Sequence, residues 1–312
     1  MADTKQRRLI IPGGNGFCGR VLANWFIQQG WDITILSRRS HYNQPGTKTV
    51  AWDGKTIAAW VEELEGADAI VNMAGRSVNC RYGRANRDEI LQSRMESTAL
   101  VGKAIAQCAN PPAIWLNSST ATIYRHAEDR PQDEATGELG SGFSVNVATA
   151  WEKAFMDAAV PSSVRKVALR SAMVLGNEKG TVFDVLCGLT RKGLGGKMGS
   201  GQQRVSWIHE HDFARAVEFL IARDDISGAV NVSAPKVPTN AELMKTLRTL
   251  LRMPVGLPAT KWMLEIGAVF LRTETELILK SRWVVPTRLE GAGFSFLHAD
   301  FPSAAKELLA RQ

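Results

Sequence analysis

The residues able to do chemistry begin at Leu9-Ile-Ile-Pro-Gly-Gly-Asn-Gly-Phe-Cys-Gly19, where an apolar run leads straight into glycines at 13, 16 and 19. That spacing is a dinucleotide-binding signature, to be judged by the elements around it. Gly13 permits the tight turn out of a strand, Gly16 lets a pyrophosphate approach the main chain, and Gly19 allows close helix packing. The phosphates rest on unpaired N–H groups at the helix N-terminus. Asn15, Phe17 and Cys18 share the loop and are read as cofactor-binding with it.

The second set is Ser37-Arg38-Arg39-Ser40, at the end of the next apolar run. An NAD site places an Asp or Glu there for the ribose hydroxyls. Two guanidiniums and a hydroxyl instead match a 2′-phosphate, which a carboxylate would repel. NADP(H) is the expected cofactor.

These groups need elements to hold them. After the glycines, Val21, Leu22, Trp25 and Phe26 recur at helical spacing up to Gly30, and Trp31-Asp-Ile-Thr-Ile-Leu36 reads as a second strand, completing a βαβ unit. Val50-Ala-Trp-Asp53, an amphipathic helix near 56–65 and the apolar strand Ala69-Ile-Val-Asn-Met-Ala-Gly75 follow. A long helix from about 86 to 108 is stopped by Pro111-Pro112. Ala113-Ile-Trp-Leu-Asn-Ser-Ser119 is a strand ending in hydroxyls. Residues 125–142 read as a polar, Gly-rich loop, 145–158 as a helix and Val164-Arg-Lys-Val-Ala-Leu-Arg170 as another strand. The part from about 238 to 312 has a helical pattern, opened by Thr239-Asn-Ala-Glu242, which looks like a capping box.

Such alternation predicts an α/β, doubly wound, parallel-sheet Rossmann fold with helices on both faces. Its ligands bind outside the carboxyl ends of the strands. Gly13 to Gly19, Ser37 to Arg39, Met73 to Gly75 and Ser118 to Thr120 all fall at those ends. Gly75 is expected to let the chain pass close to the adenosine or ribose.

The bulk composition narrows the class. The chain has 312 residues, 45% hydrophobic and 22% charged, enough for one large domain and a smaller one. No apolar leader precedes the first strand, and the longest apolar stretch, near 262–271, is interrupted by Glu265, so a soluble, cytoplasmic protein with no membrane span is expected. Cys18, Cys80, Cys108 and Cys187 are scattered, without a CxxC pair, and predict neither disulfides nor a metal site. The net charge of +7 is densest at Arg81, Arg84, Arg87 and Arg94, where only Tyr82 is aromatic. No nucleic-acid partner is expected, and an anionic dinucleotide accounts for part of the charge.

Together these segments resemble the extended short-chain dehydrogenase/reductases, in which Gly-Gly-x-Gly-Phe-x-Gly, Asn-x-Ala-Gly and Ser-Ser-x-Ala-Thr-x-Tyr occur in this order. More narrowly, the chain resembles the atypical NAD(P)-dependent epimerase/dehydratase-like family. The resemblance lies in Ser93-Arg94, Ala150-Trp-Glu152, Gly195-Gly-Lys-Met-Gly-Ser-Gly201, Trp207-Ile-His-Glu-His-Asp212 and Val285-Pro-Thr-Arg-Leu-Glu-Gly-Ala-Gly-Phe294. It implies a Rossmann domain over 1–175, its sheet completed by 205–235, and a smaller substrate domain from 176–204 and 236–312. It further implies that Ser37 and Arg38 hold the 2′-phosphate, that Met73 and Ala74 contact the ribose, that Glu89 and Arg94 contact the cofactor from a helix, and that Val174 lines the nicotinamide end. Thr120 matches the Ser or Thr that donates to a substrate oxygen.

The same resemblance exposes a gap. Members use a Tyr-x-x-x-Lys pair whose Lys lowers the phenol pKa. Counting back from Glu152, the Tyr place is Ser144 and the Lys place Ala148, and none of Tyr42, Tyr82 and Tyr124 begins such a pair. Tyr124 and His209 are possible substitutes, His211 a weaker one, although structural roles are favoured: Asp212 reads as a helix N-cap with the histidines as packing beside it. Val205, with Arg204 adjacent, stands where sugar-nucleotide epimerases carry a diphosphate-gripping Arg. Gly195-Gly196 and Gly199-Ser-Gly201 read as a mobile loop over the crevice, and Trp207 or Trp262 as a possible pocket wall. The expected function is an NADP(H)-binding oxidoreductase or epimerase-like enzyme acting on a small molecule through a hydroxyl or carbonyl, with Thr120 polarising the substrate oxygen. The alternative is a non-catalytic NADP(H)-binding redox sensor.

Overall fold

The computed structural model describes residues 6–39, 44–260, 263 and 276–311. Ser40, Tyr42, Trp262 and most of the stretch near 262–271 lie outside them.

Seven strands form one parallel sheet: β1 (Arg8–Pro12), β2 (Asp32–Ser37), β3 (Thr47–Ala51), β4 (Ala69–Asn72), β5 (Ile114–Thr120), β6 (Arg165–Ser171) and β9 (Gly228–Val232). Their order is β3-β2-β1-β4-β5-β6-β9. The doubly wound fold expected from the alternation is therefore present. Chain direction across the sheet reverses between β1 and β4, so a crevice must open at their carboxyl ends. A separate parallel pair, β7 (Met173–Leu175) and β8 (Trp207–His209), aligns Val174 with Ile208 and Leu175 with His209.

The strand sequences explain the burial. Leu9, Ile10 and Ile11 are all fully buried, because both faces of a parallel sheet are covered. On one face, α1 (Phe17–Gln28) and α5 (Glu210–Ala222) pack Leu22, Phe26, Phe213, Val217 and Leu220 over Ile11 and Ile35. On the other, α2 (Arg84–Gln107) and α3 (Phe143–Met156) bring Val101, Ile105 and Phe155 against Ile10, Ile70 and Trp115. A third apolar cluster joins α4 (Val182–Leu189), α6 (Asn240–Leu250) and the C-terminal helix Phe301–Ala310 around Trp207 and Met198. No described helix is long and apolar enough to cross a membrane.

Three local expectations are corrected. The segment near 56–65 is a 3-10 helix, Ala59–Leu64, not an amphipathic α-helix. Asp53 takes the amides of Lys55 and Thr56, so a turn consumes the residues that a first helical turn would need. The N-cap of α5 is His209, whose Nδ1 accepts the His211 amide at 3.0 Å, while Asp212 accepts the amides of Leu297 and His298. The glycine loop at 195–201 does not arch over the crevice. It packs on 257–259 through Gly196 N to Leu257 O at 3.2 Å and Gly199 N to Ala259 O at 2.8 Å, with Met198 buried. The capping box at Thr239 and Glu242 is formed.

Candidate functional site

A cavity of about 510 Å³ opens at the carboxyl ends of β1, β4 and β5. It is lined by Gly13, Gly16, Phe17, Cys18 and Gly19, by Met73, Ala74 and Gly75, by Arg94, Thr120 and Val174, and by Ser144 and Ala148. Most of the residues singled out in the sequence thus meet in one place.

The glycine turn is built by steric necessity. Gly13 has φ +74°, and a Cβ there would sit 2.6 Å from Ala74 Cα; a Cβ on Gly19 would lie 2.5 Å from Gly14 Cα. Gly16 caps α1 without a side-chain bond, which leaves amide donors at the helix N-terminus. That end faces the cavity through Phe17 and Cys18, a ready anion site. Desolvation pushes the Cys18 thiol up to about 12, which favours its protonated form. Asn15 is outside the cavity wall; its carbonyl takes Arg20 Nη1 at 2.7 Å.

Ser37, Arg38 and Arg39 follow Leu36, whose carbonyl accepts the Gly13 amide at 2.9 Å. Ser37 is buried with its Oγ accepting the Arg39 amide at 3.1 Å, while both guanidiniums are exposed. They do not line the cavity but adjoin the turn that does.

The two helix residues that the resemblance assigned to the cofactor separate. Glu89 lies outside the cavity and forms an ion pair with Arg76 Nε at 3.1 Å. Arg94 lines it, donating through Nη1 to the carbonyls of Arg76 and Ile90 at 3.0 and 2.9 Å and lying 4.9 Å over the Trp151 ring. Among the described residues no carboxylate pairs with Arg94, and desolvation pushes it down to about 10. A half-buried, desolvated cation of this kind favours an anionic ligand. Arg76, which joins the two, was missed, although it directly follows Gly75.

Below the strand ends, an amide network holds the floor. Asn72 Nδ2 donates to Asn117 Oδ1 at 2.7 Å, and Asn72 Oδ1 accepts the Ala74 amide at 3.1 Å, fixing the β4 exit. Trp151 Nε1 donates to Thr98 Oγ1 at 2.9 Å, anchoring α3 to α2.

Thr120 ends β5, its Oγ1 accepting the Thr122 amide at 3.1 Å and its own proton available to a ligand oxygen. Ser144 and Ala148 both face the cavity from α3, so the counting from Glu152 located the right wall. Ala148 brings no ammonium. Ser144 Oγ lies 3.1 Å from Glu276 Oε2. Lys280 Nζ donates to the Thr122 carbonyl at 3.0 Å and Arg282 Nε to Thr122 Oγ1 at 3.1 Å. Burial holds both cations below their ordinary range. Glu276, Lys280 and Arg282 were not foreseen, since no spacing in the sequence ties them to α3. Tyr82 and Phe143, stacked edge to face at 5.1 Å, complete the wall.

The substitute proton carriers fare differently. Tyr124 is buried, its hydroxyl donating to Asn231 Oδ1 at 2.9 Å and accepting from Arg170 Nη1 at 2.8 Å. Arg170 is paired in turn with Glu152 at 2.7 Å. His209 is fully buried and its ring does not line the cavity. With Nδ1 accepting an amide, Nε2 carries the proton and donates to Glu307 Oε2 at 2.8 Å. His209, His211 and His298 bring ring nitrogens within 4.8 Å of one another. Both His209 nitrogens are engaged, however, and the Arg311 guanidinium lies 3.4 Å from Nε2, which places a cation where a metal would need to approach. These histidines pack the C-terminal helix. Trp207 is core, with Nε1 donating to the Lys236 carbonyl. Arg204 stacks 4.3 Å from the Trp283 ring, outside the cavity.

The model of the NAD dependent epimerase/dehydratase family matches residues 9–233, and that of a domain of unknown function, DUF1731, matches residues 259–308. Epimerase family protein SDR39U1 of Bos taurus is 32% identical over 308 residues, covering 97% of this chain and 100% of its own. Epimerase family protein YfhF of Bacillus subtilis (strain 168) is 30% identical over 306 residues, 97% and 98% of the two chains. The crystal structure of human epimerase family protein SDR39U1 (isoform2) with NADPH superposes with a TM-score of 0.84 at 30% identity, covering 98% of this chain and all of that one. Fold, glycine turn and whole-chain similarity agree that the chain belongs to the NAD dependent epimerase/dehydratase family.

Proposed function

We propose that the chain is an NADP(H)-dependent oxidoreductase or epimerase-like enzyme that moves hydride at a carbon bearing a hydroxyl or carbonyl oxygen. The observation that carries this reading is the convergence of the α1 N-terminus with its free amides, the desolvated Arg94 guanidinium and the Thr120 and Ser144 hydroxyls on one cavity. The glycine cradle has room only for backbone, which fits a pyrophosphate against Gly13, Asn15, Gly16, Phe17, Cys18 and Gly19. Ser37, Arg38 and Arg39 hold the 2′-phosphate, Met73, Ala74 and Gly75 the ribose, and Val174 the nicotinamide face. Arg94 contacts the cofactor directly and Glu89 acts by positioning Arg76. Residues 1–175 with 205–235 form the cofactor-binding part, and 176–204 with 236–312 the smaller substrate part. The human relative was crystallised with NADPH, which supports the same cofactor here.

When bound, NADP(H) supplies or accepts the hydride. Thr120 donates its hydroxyl proton as a hydrogen bond to the substrate oxygen and stabilises the charge that develops there. Titrating the protein with NADPH and NADH by nicotinamide fluorescence, then adding aldehydes, ketones and quinones, tests the reading. NADPH preference with turnover supports it; tight binding without turnover favours the redox-sensor alternative, for which the alanine at 148 speaks.

A further inference from the structure

Resting on the oxidoreductase reading, we infer that Ser144 and Glu276 form the proton relay of the reaction, linking the substrate oxygen to solvent in place of a Tyr-x-x-x-Lys pair. Ser144 lines the cofactor cavity, whereas Glu276 lines a second recess of about 600 Å³ bounded by Arg125, His126, Leu139, Gly140, Leu279 and Lys280. The 3.1 Å contact between Ser144 Oγ and Glu276 Oε2 is therefore a hydrogen-bonded passage from one space to the other. Ser144 stands on the first turn of α3, beside Phe143 and Tyr82, with Thr122 also on the wall. Arg282 donates into Thr122 Oγ1, so the Thr122 proton is directed to another acceptor and can add to the donors Thr120 and Ser144 at the substrate oxygen.

The step balances in both directions. In reduction, hydride from NADPH bonds to the carbonyl carbon, the C=O π pair moves to oxygen, and that oxygen takes the Ser144 Oγ proton. Ser144 recovers a proton from the Glu276 carboxyl group, which is reprotonated by water in the recess. In oxidation the substrate hydroxyl proton passes to Ser144 Oγ as the Ser144 proton passes to the Glu276 carboxylate, and hydride leaves to NADP⁺. Lys280 and Arg282, on the segment that follows Glu276, offset its negative charge. Ser144 touches the substrate and is the catalytic residue of the pair; Glu276 acts through it.

Among the described residues, the charged and titratable groups facing Glu276 are Lys280 and Arg282 from its own segment, Arg125 and His126 from the opposite loop, and Tyr82 beyond Ser144. The test must separate Glu276 from His126, whose Nδ1 accepts the Ser281 amide. NADPH binding and the pH profile for reduction of 9,10-phenanthrenequinone, trans-cinnamaldehyde and cyclohexanone are measured for the native protein, Ser144→Ala, Glu276→Gln, Glu276→Asp and His126→Gln. Expected are unchanged NADPH affinity throughout, a loss of kcat on the order of 10²-fold in Ser144→Ala and Glu276→Gln, partial recovery in Glu276→Asp, and disappearance of one ionisation from the Glu276→Gln profile but not from that of His126→Gln. A Glu276→Gln profile that keeps the native shape and rate overturns the relay while leaving the oxidoreductase reading intact. Native protein that binds NADPH yet reduces none of the three probes overturns both.

Discussion

The Gly13 amide donates to the Leu36 carbonyl at 2.9 Å, which ties the glycine turn to the strand end that carries Ser37, Arg38 and Arg39. In the proposed cofactor pose, the pyrophosphate and 2′-phosphate contacts would be set by one rigid connection. If Arg38 holds the 2′-phosphate, its replacement by Ala removes a charge-assisted bond of about 1.5–3 kcal/mol, so NADPH affinity should fall roughly 10- to 100-fold with NADH affinity nearly unchanged. Parallel fluorescence titrations with the two nucleotides check this.

Gly13→Ala should abolish cofactor binding. The left-handed φ of +74° and the 2.6 Å approach to Ala74 Cα oppose any side chain, and the obstacle is backbone that cannot rotate away. The variant should also unfold at lower denaturant concentration, which circular dichroism would follow.

Thr120→Val keeps the shape of the strand end and removes its donor. If the hydroxyl stabilises charge on the substrate oxygen, kcat should drop about 10²- to 10³-fold, with NADPH affinity unaltered. Wild-type turnover in this variant would assign Thr120 to its bond with the Thr122 amide alone.

Glu152→Ala should cost stability. Glu152 and Arg170 have side-chain exposures of 11% and 13%, so the substitution leaves a shielded guanidinium without its carboxylate, a loss of about 3–5 kcal/mol. Ser119, which donates to Glu152 at 2.5 Å, loses its partner as well. The urea midpoint is the readout.

His209 gives stability a dependence on pH. Desolvation first, then the neighbouring His298, pushes its pKa down to about 4, although Glu307 opposes the shift. The native ring is neutral where an unfolded one takes a proton, so the contribution is complete above the ordinary value of about 6.5 and is lost as pH falls to about 4. The slope for one proton is about 1.4 kcal/mol per pH unit. In His209→Gln the slope of unfolding free energy between pH 6.5 and 4 should shrink by that amount, whatever the variant's absolute stability.

The sheet and cofactor turn were legible because each rests on local signals: apolar runs of strand length, glycines where only backbone fits, a helix period from Val21 to Phe26. The failures were local signals overruled by competing bonds. Trp60 and Leu64 have helical spacing, yet Asp53 accepts the amides of Lys55 and Thr56 and the Trp60 indole donates to the Thr56 carbonyl, leaving room for only a 3-10 turn. At α5 a histidine supplied the cap because Asp212 was taken by the amides of Leu297 and His298 from the far end of the chain. Glu276 and Arg282 were invisible for the same reason, since they reach Ser144 and Thr122 across more of the sequence than any periodicity spans.

The position of β9 bears on how the chain is made. Strand β6 is complete at Ser171, but its outer neighbour is Gly228–Val232, and the β7–β8 pair, α4, the 195–201 loop and α5 all lie between them in the chain. A ribosome-bound chain therefore displays an unpaired row of amides and carbonyls along Arg165–Ser171 while the next several elements are still being synthesised. Truncation between 176 and 227 leaves that edge permanently open, and such fragments are expected to associate through it. Arg165, whose guanidinium reaches the carbonyls of Leu220, Ile221 and Ile226, is the residue that the late segment closes upon.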